Sequence, residues 1–144
     1  MKKYLLSFTL LLSSLIVFAQ PGSSPSTKLA GKWLLTKHLL TEKGKASDLL
    51  SSNEIYSFDF MVDNTYSVSY TNKKNESTTV YKGKWKIVSG GKKLKLYDNI
   101  LPAEPGRLVA DRLLPIISLS KTEFVTKELL FGMDLVGTSY YKKQ

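Results

Sequence analysis

The chain has 144 residues, no cysteine, one histidine and a formal net charge of +9. That length suits a single domain with one core. The missing cysteine excludes disulfides, thiol catalysis and thiolate metal sites, and a lone histidine without cysteine argues against zinc chemistry.

Residues 1–19 read as a signal peptide. Lys2 and Lys3 form a basic start, Tyr4 to Phe18 an apolar stretch, and Val17-Phe18-Ala19 offers small residues where a signal peptidase cuts. The alternative is an uncleaved anchor, but the stretch falls short of the roughly 18–20 apolar residues of a membrane span. We therefore expect export, to the periplasm or beyond, and no transmembrane segment after cleavage. Residues 20–28 hold two prolines, one glycine and three serines and are expected to form a disordered leader. Residues 29–144 form the domain. Lys2 and Lys3 supply two of the positive charges, so +7 remains after cleavage. This balance suits an acidic partner, either anionic lipid or acidic glycan, or it simply keeps the surface soluble. Export argues against nucleic acid.

Leu29 to Leu40 opens the domain as a strand. Strand faces alternate with period two, so Leu29, Gly31, Trp33 and Leu35 share one face. Gly31 permits close approach and Trp33 fills the space beside it, as at the closed end of a small barrel. Thr41 to Asn53 is polar, with room for one helical turn at Ser47-Asp48-Leu49-Leu50. Ile55 to Val62 and Thr65 to Thr71 make a hairpin across Asp63-Asn64. Tyr56, Phe58 and Phe60 lie on one side of its first strand, and Tyr66, Val68 and Tyr70 on one side of its second. Asn72 to Asn75 turns the chain.

Glu76 to Val88 is the most regular strand. Thr79, Tyr81, Gly83, Trp85 and Ile87 share a face, and Lys82, Lys84 and Lys86 share the other. Lys92 to Tyr97 follows, with Leu94 and Leu96 opposite Lys93 and Lys95. Asp98 to Asp111, with Pro102, Pro105 and Gly106, reads as a loop. Arg112 to Ser120 is mostly apolar and is expected to be buried on both faces. Thr122 to Phe131 and Leu135 to Lys142 complete the set, separated by Gly132-Met133-Asp134. The pattern predicts an all-β chain: about eight short antiparallel strands forming an up-and-down barrel or a sandwich. Gly31-Lys32-Trp33 recurs as Gly83-Lys84-Trp85, but the flanks do not match, which favours shared strand chemistry over duplication.

These residues resemble the lipocalin-like domains exported by Bacteroidetes-type bacteria, within the lipocalin/calycin group. The likeness rests on Leu29-Ala30-Gly31-Lys32-Trp33, the Phe58 to Tyr66 hairpin, Gly83-Lys84-Trp85 and the closing Tyr140-Tyr141-Lys142. Thr122-Glu123-Phe124 echoes the family's Thr-Asp-Tyr segment loosely. The resemblance implies a small up-and-down barrel whose base is closed by Gly31 and Trp33. It also implies a basic residue over that tryptophan, Lys142 or Lys143, where arginine is usual. By the same resemblance the barrel binds a small, mainly apolar ligand. The alternative is an envelope or protein-interaction module with a filled core and a basic outer face. Although such barrels can host catalysis, no enzyme activity is expected.

The candidate inward set is Trp33, Leu35, Phe58, Phe60, Tyr66, Val68, Tyr70, Tyr81, Trp85, Leu94 and Leu96. Read as a calyx, Phe58, Phe60, Tyr66, Tyr70, Tyr81 and Trp85 line a site for a small apolar ligand. Read otherwise, they are a packed core. Lys82, Lys84, Lys86, Lys93 and Lys95 form one outer face, either a patch for anionic lipid or acidic glycan or a solvated surface. His38 has no obvious catalytic partner. No phosphate loop, serine elbow or metal cluster declares itself, so no catalytic residue, metal or cofactor is expected. Asn75-Glu76-Ser77 matches a glycosylation sequon but reads as turn.

Overall fold

The computed structural model describes residues 24–50, 52–72, 78–104, 107–130 and 135–144. The expected signal peptide, the sequon, the Pro105-Gly106 step and the Gly132-Met133-Asp134 turn lie outside these residues.

A short helix α1 (Pro25–Leu29) precedes β1 (Gly31–Glu42), β2 (Lys45–Asp48), β3 (Glu54–Phe60), β4 (Thr65–Asn72) and β5 (Thr78–Val88). Then come β6 (Lys93–Ile100), β7 (Leu108–Val109), β8 (Arg112–Leu119), β9 (Glu123–Leu130) and β10 (Leu135–Lys143). Hydrogen-bonded neighbours run β10-β9-β8-β6-β5-β4-β3-β1, and β1 pairs back to β10. Every one of these pairs is antiparallel. The result is an all-β, eight-stranded closed barrel, one of the two architectures that the alternation allows and the one that the resemblance implies. Closure removes the sheet edges that an open sheet of this length would expose. Among the described residues no helix is long and apolar enough to cross a membrane.

Four segments differ from the sequence reading. First, the end of the expected leader is helical. Ser24 caps it by accepting the Thr27 N–H at 3.2 Å, Pro25 sits in the first turn, and Leu29 is wholly buried. Burial of Leu29 holds this turn in place, and Leu29 ends the helix rather than opening β1.

Second, Ser47 and Asp48 belong to β2, not to a helical turn. β2 pairs with the far half of β1, Leu39 to Glu42, while β3 pairs only with the near half, Gly31 to Leu34. The two neighbours divide one edge of β1 between them.

Third, the expected 98–111 loop is partly sheet. β6 runs through Ile100 and pairs with β7, after a register shift opposite Lys82 to Lys84. Asp98 takes φ 51 at this bulge, which turns Asn99 into the core at 2% exposure.

Fourth, β8 is not buried on both faces. Leu114 is 6% exposed, but Leu113 and Ile117 point outward at 51% and 59%.

The core gathers at one end of the barrel. Leu29, Trp33, Phe60, Trp85, Leu94 and Phe124 are all essentially inaccessible there.

Candidate functional site

The closed end is built first, because it decides where space is left. The Trp33 indole N–H donates to the Leu29 carbonyl at 2.7 Å, tying β1 to α1. The ring meets Phe124 edge-on at 5.8 Å. Lys143 Nζ lies 5.3 Å from the Trp33 ring centroid and donates to the carbonyls of Ala30 at 2.6 Å and Lys28 at 3.2 Å. Lys143, not the exposed Lys142, therefore takes the basic position over the tryptophan. Gly31 has φ +122, and a Cβ there would sit 2.8 Å from Lys143 Cε. Glycine admits both the backbone angle and the lysine stem.

The second Gly-Lys-Trp does different work. The Trp85 indole N–H donates to the Met61 carbonyl at 3.0 Å, and the ring meets Phe60 edge-on at 5.6 Å. Gly83 has ordinary backbone but lies under a buried pair. The Tyr66 hydroxyl donates to Asn99 Oδ1 at 2.6 Å, and a Cβ on Gly83 would come within 2.8 Å of that oxygen. Asn99 Nδ2 in turn donates to the Ala110 carbonyl at 3.0 Å. Burial pushes the Tyr66 phenol up to about 12, with Arg112 acting weakly in the opposite sense.

Above this floor the barrel holds a cavity of about 340 Å³. Leu35, Phe58, Leu96 and Leu114 form its apolar wall, and Leu49 and Leu50, just past β2, border its mouth. Asp48 fixes that crossing. Its Oδ1 accepts the backbone N–H groups of His38 at 3.2 Å and Leu50 at 3.1 Å. These bonds hold the Asp48 carboxyl below its usual range. A second cavity of about 200 Å³ adjoins the first, sharing Tyr56, Phe58, Leu96 and Arg112 as wall. Val68, Val80, Tyr81 and Val109 make it mainly apolar.

The upper wall is polar. His38 Nδ1 and Ser139 Oγ are 2.8 Å apart. The buried Tyr141 hydroxyl is raised by burial, an effect opposed by its hydrogen bonds to Ser139 and Thr126. Arg112 meets Glu128 through two bonds, Nε to Oε1 at 3.2 Å and a terminal nitrogen to Oε2 at 2.5 Å. Glu54 Oε1 accepts the Tyr70 hydroxyl at 3.3 Å, and Tyr70 packs on Tyr56 with ring centroids 4.9 Å apart.

Of the six residues expected in the lining, Phe58, Tyr66 and Tyr81 border cavity space. Tyr70 stands at the rim behind Tyr56. Phe60 and Trp85 lie in the floor instead, at 2% and 1% exposure, packed against each other below the space. The sequence reading missed Glu54, Tyr56, Arg112, Thr126, Glu128 and Ser139 as wall residues. The signal was present on β9, where Phe124, Thr126 and Glu128 share a face by period two.

Lys82, Lys84 and Lys86 on β5 lie beside Lys93 and Lys95 on β6. Lys84 pairs with Asp98 at 2.9 Å and Lys95 with Asp111 at 2.8 Å, contacts that raise both lysines. Lys86 and Lys95 also flank the Tyr97 ring, at 5.2 and 5.5 Å from its centroid. Two of the five charges are thus offset by carboxylates on the same face.

No family model matches the chain, and no curated protein matches it. Among solved structures, the fold is similar to the crystal structure of a lipocalin-like protein from Bacteroides uniformis ATCC 8492. The TM-score is 0.55 at 17% identity, over 81% of this chain and 99% of that one. With its eight-strand closure, tryptophan-plugged base and overlying Lys143, the chain has a lipocalin-like fold.

Proposed function

We propose that the protein is an exported barrel, periplasmic or secreted, that binds a small and mainly apolar ligand without chemically changing it. The observation that carries this reading is the cavity of about 340 Å³ above the aromatic floor, walled by Leu35, Phe58, Leu96 and Leu114. Its volume falls at the lower end of the roughly 300–1,000 Å³ of small-molecule sites, so the ligand is small. The adjoining space of about 200 Å³ extends the apolar wall. The lipocalin-like fold supports a binding role, and the basic start followed by an apolar stretch at residues 1–19 supports export.

The offset charges on the lysine face favour the interior over that surface as the binding site. Native mass spectrometry of freshly exported protein, paired with displacement of a fluorescent lipophile, tests the reading. A mass above that of the bare chain and displacement by small lipophiles are expected. A bare mass with no uptake of the fluorophore would sink it. Cleavage after Ala19 is read from the same mass spectrum.

A further inference from the structure

The chemistry of the ligand's polar end follows from which charges in the wall are already matched. This step rests on the ligand-binding reading above. The larger cavity is bordered by His38, Glu54, Arg112 and Glu128. Arg112 and Glu128 engage each other through two bonds, at 3.2 and 2.5 Å. An anionic head seeking Arg112 would have to displace a bidentate carboxylate, the strongest partner a guanidinium has.

Glu54 is differently placed. Its carboxylate accepts the Tyr70 hydroxyl at 3.3 Å, a long bond to a neutral donor. It takes no part in an ion pair among the described residues. With the imidazole counted neutral, the wall holds two carboxylates against one guanidinium. Tyr56 borders the same cavity, and its ring packs 4.9 Å from that of Tyr70. Glu54 and Tyr56 stand two residues apart on β3, so they share a face of the strand, and both border this cavity. A carboxylate beside an aromatic face is a setting that attracts an organic cation.

We infer that the barrel takes a small amphipathic cation, a protonated amine on an apolar body, with Glu54 as its counter-charge and Tyr56 as its aromatic wall. The ammonium group donates to Glu54 at the mouth. The apolar body descends between Phe58 and Leu96 toward Val68, Tyr81 and Val109 in the adjoining cavity. Arg112, bordering both spaces while held by Glu128, adds no free positive charge to repel it.

The test compares three probes of one chain length, octylamine, octanoate and 1-octanol, against the intact protein at neutral pH and low salt. Each is titrated by displacement of the fluorescent lipophile. Octylamine is expected to bind about tenfold more tightly than octanoate, and octanol in between. Glu54→Gln should weaken octylamine about five- to tenfold and leave octanol unchanged. Glu128→Gln should release Arg112 and improve octanoate.

Equal binding of octylamine and octanoate, or tighter octanoate, overturns the inference and leaves the ligand-binding reading standing. The same holds if Glu54→Gln folds and binds octylamine as before. If Glu54→Gln does not fold, the ranking of the three probes on the unaltered chain decides. If none of the three competes and the fluorophore itself does not bind, both readings fall.

Discussion

Replacing Gly83 by alanine tests the account of the barrel floor most sharply. A methyl there would lie 2.8 Å from Asn99 Oδ1, 2.8 Å from the Tyr97 carbonyl oxygen and 2.9 Å from Tyr66 Cε1. One of these neighbours is backbone of the paired strand and cannot step aside cheaply. The other two form the buried 2.6 Å bond between the Tyr66 hydroxyl and Asn99. Overpacking costs about 1–3 kcal/mol, and a strained or lost buried bond adds a comparable amount, so the expected loss is about 2–4 kcal/mol. Gly137→Ala is the matched control on β10. Its methyl would meet His38 Cε1 at 3.5 Å, an ordinary contact, with no positive φ to strain. That change should be neutral or stabilise by up to about 1 kcal/mol through the unfolded chain. Urea unfolding followed by tryptophan emission measures both. A loss under about 1 kcal/mol for Gly83→Ala, or equal effects at the two sites, would show that the glycine is not there to admit the Tyr66–Asn99 pair.

Three further outcomes follow from the same geometry. Lys143→Met should cost about 1–2 kcal/mol, because it removes the cation over Trp33 and leaves the Ala30 and Lys28 carbonyls without their donor; Lys142→Met at the exposed neighbour should stay within about 0.5 kcal/mol. Tyr66 ionises near pH 10 when unfolded but at about 12 in the barrel, so its contribution is complete below pH 10 and is lost as pH rises toward 12, a fall of roughly 3 kcal/mol; a Tyr66→Phe variant that loses stability as steeply over that window would refute the assignment. Trp33 and Trp85 both lie in the floor, clear of both cavities, so a ligand shown bound by mass should leave the emission of Trp33→Phe and Trp85→Phe variants nearly unshifted; a large shift in either would place the ligand lower than the cavity walls.

Period two says which side of the sheet a residue faces, and most of that reading holds. Phe60, Tyr66, Val68, Trp85, Leu94 and Leu96 all point inward as expected, and the lysines of β5 and β6 share the outer face. Height along the barrel is another matter. Phe58 and Phe60 are two residues apart, yet one borders the cavity and the other is floor. Height depends on the register between strands distant in sequence. The register here shifts between Leu35 and Lys37, Val68 and Ser69, Lys82 and Lys84, and Ile116 and Ser118. None of these bulges carries a glycine or proline in its own strand at the shift except Gly83, so local sequence offers little warning. The charged wall was hidden for a related reason. Arg112, Glu128 and Glu54 sit near strand ends, where charge ordinarily means solvent; Arg112 meets Glu128 across the neighbouring strands β8 and β9, and closure of the barrel brings Glu54 to the same cavity.

The division into solid floor and hollow top has a simple steric origin. At the base, the strands that close the barrel contribute Trp33, Phe124 and Tyr141, whose rings meet within 6 Å and fill the section. One step higher on β9 and β10 the inward residues shrink to Thr126, Ser139 and Gly137. An eight-stranded barrel is just wide enough to be filled by large side chains, so replacing rings by hydroxyls and a hydrogen opens space. Those same small residues bring hydroxyl groups, and with them His38 and Glu128, to the wall. A cavity of this size with such a wall admits water, which an incoming molecule must displace. An entirely apolar ligand would strand the polar groups and lose the bonds that water made. The fit therefore favours an apolar body with a polar end, oriented by the gradient from Leu96 and Phe58 up to Glu54 at the mouth.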